Sequence, residues 1–122
     1  MFRLDFTTKV LGEIAAERLR CHEVVQTLRS PQSGIVRALL NSTLRVGDQM
    51  EVALDGEVIG MACPAIIDRT DWESLTLMDA TRGGFSNKPE LAAALHKAGY
   101  RFSPMPTYLF YRIQFTWFRN DK

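Results

Sequence analysis

The alternation of polar and apolar positions changes period several times along this chain, and each change marks an element. FRLDF, residues 2 to 6, alternates with a period of two and predicts a short strand. Thr7 or Thr8 then caps a helix whose apolar residues Val10, Leu11, Ile14, Ala15 and Leu19 fall on one stripe, ending near Arg20. Residues 23 to 29 read as a strand rich in β-branched positions, closed by the Ser30-Pro31 turn. Residues 35 to 44 show no clear period and read as a loop with at most one helical turn.

The punctuation is sharper further on. Gly47-Asp48 turns the chain into a strand, Asp55-Gly56 is a favoured two-residue hairpin turn, and the return strand runs over residues 57 to 67. Pro64 has no amide hydrogen, so it belongs at an edge or a bulge. Thr76 and Asp79 have capping-box spacing for a short helix stopped by Gly83-Gly84. Asn87 and Glu90 repeat the device for a second helix, with Pro89 in its first turn, Leu91 and Leu95 inward and Gly99 as its stop. Residues 107 to 117 predict a long strand. Leu109, Tyr111, Ile113, Phe115 and Trp117 share one face of it, and Tyr108, Phe110, Arg112 and Gln114 the other.

This order predicts an α+β fold, a small mixed β-barrel with flanking helices, in one domain over residues 1–122. The 46% hydrophobic and 24% charged residues are those of a globular chain. No stretch has the length of a signal-peptide core or of a membrane helix, which implies no membrane contact and a cytoplasmic location.

Net charge is only +1, against a uniformly basic nucleic-acid binder, yet its distribution is uneven. Residues 18 to 45 hold five arginines and one acid, residues 48 to 79 hold eight acids and one arginine, and residues 80 to 122 are again basic. If the two basic segments adjoin, they make one positive face suited to phosphates; otherwise the charges are simply solvated. Cys21 and Cys63 read as free thiols, and with His22 and His96 they lack the spacing of a metal site, so neither metal nor cofactor is expected.

Arg29 carries the most chemistry. By strand alternation it shares a side with Thr27, and a planar guanidinium grips phosphate bidentately, with the Ser30 hydroxyl and amide at the following turn. Arg112 and Gln114, beside Tyr108 and Phe110, are a second candidate surface with ring faces for base stacking; core packing is the rival account of those rings. Arg82 reads as a helix cap beside a glycine pair that lets a ligand approach the backbone.

The strand ending TLR at 27 to 29, the RVGD turn at 45 to 48, Gly60-Met61-Ala62, the LTLMDA and GGFSNKPEL segments and the closing YRIQF resemble the ASCH domain, a branch of the PUA-like β-barrel superfamily. The resemblance implies RNA or modified-nucleotide binding in a cleft beside the barrel; together with the chemistry above, the candidate binding residues are Thr27, Arg29, Ser30, Arg82, Tyr108, Arg112 and Gln114. The family signature has the form GxKxxExR; aligned on Arg29, its Gly falls on His22, its Lys on Val24 and its Glu on Thr27, so only the arginine is retained. Members that resemble amidohydrolases acting on acetylated cytidine carry threonine at the position of Thr27 as a candidate nucleophile. Val24 in place of the lysine leaves Thr27 without that base, which weighs against hydrolysis here. The alternatives are therefore a nucleoside amidohydrolase or ribonuclease, or a protein-interaction module using the acidic hairpin.

Overall fold

The computed structural model describes residues 1–100 and 109–118. Five strands, β1 (Arg3–Phe6), β2 (Gln26–Arg29), β3 (Met50–Leu54), β4 (Glu57–Asp71) and β5 (Leu109–Trp117), form one sheet in the order β1-β3-β4-β5-β2. Only β1 and β3 are parallel; the other neighbours are antiparallel. Among the described residues five α-helices complete the fold: α1 (Thr8–Leu11), α2 (Glu13–Arg20), α3 (Gly34–Leu40), α4 (Leu77–Arg82) and α5 (Lys88–Lys97).

The hairpin turn forms as its residues require. Asp55 and Gly56 both have positive φ, +53° and +86°, the pattern a two-residue primed turn needs. β4 runs four residues further than its sequence pattern suggests because it serves two partners. Its first part, to Ala62, pairs with β3, and from Ala62 onward it pairs with β5, a register that slips between Pro64 and Ile66.

Three expectations need correction. The single helix after β1 is two, because Gly12 adopts φ +85° between them and its amide bonds back to the Thr8 oxygen. The segment expected as loop contains α3, seven residues long, capped by the Ser33 side chain accepting from the Val36 amide. Its signal is hidden by a polar cap and only two turns of apolar positions. Among the described residues the sheet is not closed, so the expected barrel is not confirmed: β1 and β2 lie at opposite ends of the strand order and do not pair.

Apolar residues bury on both faces of the sheet. Leu4, Val52, Ile113 and Phe115 pack with Leu19 of α2 and Val36 of α3 on one side. Phe110 packs with Ala80 of α4 and Leu91, Ala94 and Leu95 of α5 on the other. Complete burial of a side chain such as Phe110 contributes about 1.5–3 kcal/mol. No helix among the described residues is long and apolar enough to cross a membrane.

Candidate functional site

β2 is an edge strand, and a cavity of about 320 Å³ opens beside it, between the end of β1, α1 and α5. The two cores meet here. Phe6 comes from the first, and Leu28, Phe85, Leu91, Ala94 and Leu95 from the second. The polar residues on this apolar lining are Asp5, Thr7, Gln26, Thr27, Arg29, Ser30 and Ser33, with Asp79 from α4 and Tyr100 after α5.

Arg29 takes the place of the missing ladder between the edges. Its Nη2 donates to the backbone oxygen of Asp5 at 2.7 Å, its Nε donates to Thr27 Oγ1 at 3.0 Å, and its guanidinium lies 5.0 Å from the centre of the Phe6 ring. Burial lowers its pKa from the usual guanidinium range, opposed in part by Tyr100 and by Asp5. A guanidinium stays protonated through such a shift. No carboxylate among the described residues is within ion-pair distance of it. Two of its five N–H donors bond to described residues, so the cavity wall holds a half-buried cation with donors to spare.

At another part of the lining lies a neutralised cluster. Gln26 and Asp79 are only 2% and 4% exposed. Asp79 Oδ1 accepts from Gln26 Nε2 and from Arg112 Nη1, each at 3.0 Å, and Oδ2 accepts from the Thr76 amide and hydroxyl at 2.9 and 3.2 Å. Burial raises the Asp79 pKa, but the bonds from Gln26, Thr76 and Arg112 outweigh it and hold the carboxyl below its ordinary value. Arg112 also forks onto Asp68, with Nε and Nη2 donating at 3.0 and 2.6 Å. Those bonds raise the Arg112 pKa further above its usual range.

Among the described residues, Arg29 and Arg112 are not brought together into one positive cleft. In the β2–β5 register Leu28 faces Arg112 and Arg29 faces Tyr111, so the two arginines project to opposite faces of the sheet. Asp68 faces Arg112 across β4 and β5 and neutralises it. Thr27, Arg29 and Ser30 line the cavity; Arg82, Arg112 and Gln114 do not. Arg82 ends α4, where its backbone oxygen accepts from the Val25 amide at 2.9 Å, and Gln114 stands opposite Gln26 on β5. Tyr108 lies outside the described residues.

Sequence reasoning missed Gln26, Ser33, Asp79 and Tyr100 as lining residues. A glutamine just inside a strand after two valines was a usable signal, since a polar residue entering a core strand needs a partner. Asp79 was legible only as a helix cap. Among the described residues, no group of three His, Cys, Asp or Glu is placed to hold a metal ion.

No family model matches the sequence, and no curated protein does. Solved structures do match. A crystal structure of an Enterococcus faecalis protein with the family model DUF984 superposes with a TM-score of 0.67 at 9% identity, covering 97% of this chain and 76% of that one. An ASCH domain from Lactobacillus crispatus superposes with a TM-score of 0.59 at 16% identity, covering 85% of this chain and 70% of that one. This chain has the fold of the ASCH domain.

Proposed function

We propose that the cavity beside β2 binds one nucleotide, free or splayed out from a single-stranded RNA, with its phosphate on Arg29 and its base against the apolar wall. The observation that carries this reading is the half-buried Arg29 guanidinium at the cavity wall, ion-paired to no carboxylate among the described residues. A partly buried charge that no described carboxylate pairs with favours an anion beside it. The apolar lining adds a second requirement. A bare phosphate or a long polyanion would leave that lining unused, whereas a planar ring with one phosphate satisfies both parts. Phe6, Phe85 and Tyr100 supply ring faces for stacking. A volume of about 320 Å³ is at the lower end of small-ligand pockets, roughly 300 to 1,000 Å³, which suits one nucleotide unit and excludes a duplex.

The likeness to ASCH structures supports the fold in which such a cleft is expected. Binding is favoured over hydrolysis because Thr27 Oγ1 accepts from Arg29 and is bonded to no carboxylate, imidazole or amine among the described residues. A hydroxyl beside a cation and without a base is a poor nucleophile. Calorimetric titration of nucleoside monophosphates and the matching nucleosides tests the reading. Monophosphates should bind more tightly than nucleosides in the native protein, and Arg29→Met should remove that difference. Equal binding of both by the native protein, or no binding of either, refutes it.

A further inference from the structure

Gln26 Oε1 is the one buried side-chain polar atom of the described residues that has no hydrogen-bond partner. Its residue lines the cavity and is 2% exposed, so the acceptor lies in the cavity wall with no described group donating to it. An unpaired buried acceptor is disfavoured, and one in a cavity wall gains stability from any donor that enters there, a ligand N–H among them.

The orientation of this amide is fixed. Turning it over would bring Oε1 toward the Asp79 carboxylate, which is ionised and engaged by Arg112 and Thr76, so only Nε2 suits that side. Each Asp79 oxygen already accepts two bonds. The Gln26 oxygen is thus the acceptor left for a bound ring, and Arg112 and Asp79 act as positioning residues that hold it so.

Resting on the nucleotide reading above, we infer that the cavity selects bases bearing an exocyclic amino group over bases with a keto oxygen at the same position. An amino group donates to Gln26 Oε1. A keto oxygen there would face another acceptor, and both would stay unsatisfied. Sites built to bond a ligand donor reject the analogue lacking it strongly, because their own buried group is then unpaired.

The experiment compares two ligand pairs that differ mainly in this group: adenosine against inosine monophosphate, and cytidine against uridine monophosphate, titrated calorimetrically into the native protein. The amino member of at least one pair should bind at least roughly tenfold more tightly than its keto partner. In Gln26→Met, similar in volume and without the acceptor, that ratio should fall toward one while the amino ligand weakens. Asp79→Asn should lower the ratio in part, since the amide is then free to turn over. Amino and keto ligands binding equally, or a ratio unchanged in Gln26→Met, overturns this inference and leaves the nucleotide reading standing. Absence of binding by all four overturns both. Because the native protein alone gives the first comparison, a variant that fails to fold does not shelter the proposal.

Discussion

Arg29 Nη2 reaches the backbone oxygen of Asp5 at 2.7 Å, so the sheet's two unpaired edges are joined by one side chain where a barrel would have a ladder. The opening that this leaves is the cavity. A closed ladder between β1 and β2 would fill the space with paired backbone, and the guanidinium would lose its access to a ligand.

Arg29 should therefore matter more to binding than to folding. Its two hydrogen bonds and its place over Phe6 stabilise the fold, but the partial burial of its charge opposes them. Arg29→Met is expected to change unfolding stability by no more than about 1 kcal/mol and to weaken nucleotide binding at least roughly tenfold. Urea unfolding and calorimetry on the same preparation check the two halves. A large loss of stability with binding intact would reverse the assignment.

Arg112 should behave in the opposite way. Removing it leaves Asp79, 4% exposed, as a buried carboxylate short of a partner. Arg112→Leu is expected to destabilise by about 3 kcal/mol. Arg3→Ala, which breaks the more exposed pair with Glu51, should lose less than about 1 kcal/mol. Denaturant midpoints of the two variants provide the comparison.

Acid should act through Asp79. Its folded pKa is depressed below the ordinary 3.8, so the unfolded chain binds that proton more readily. The stabilisation is fully present above 3.8 and is lost as pH falls through the depressed value. The urea midpoint should stay level between about pH 7 and pH 5 and decline below about pH 4, and Asp79→Asn should flatten the decline. An identical decline in that variant would assign it to other carboxylates.

Gly60 has a steric role. A Cβ at this position would lie 2.8 Å from both His22 Nε2 and Trp117 Cζ3, whose rings stack at 3.9 Å and are nearly parallel. Each ring is anchored: His22 Nε2 is 2.9 Å from the Ile59 oxygen, and Trp117 Nε1 donates to the Val24 oxygen at 2.7 Å. Neither side gives way cheaply, so Gly60→Ala is expected to destabilise by about 1–3 kcal/mol. Tryptophan fluorescence should report the displaced stack.

The elements that local chemistry dictates were legible in the sequence, and the site was legible only in part. Asp55-Gly56, Pro64 and the Asn87 cap each act on their immediate neighbours, so their residues sufficed to locate a turn, a bulge and a helix start. Thr27 and Arg29 were paired correctly by strand alternation. Arg112 was misjudged because its partners, Asp68 and Asp79, are 44 and 33 residues away and meet it only through the β4–β5 register and the docking of α4. The gap between β1 and β2 was hidden for the same reason: no local pattern says whether two distant edge strands pair.

The central claim is that an anion-bearing ring enters the cavity beside Arg29. Adding adenosine or cytidine monophosphate to the isotopically labelled protein and following its amide resonances tests that most directly. The account predicts saturable shifts at Thr27, Arg29, Ser30, Ser33 and Tyr100, all cavity-lining residues, and their disappearance in Arg29→Met. Shifts confined to Arg82, Arg112 and Gln114, or none at any residue for either nucleotide, would contradict it.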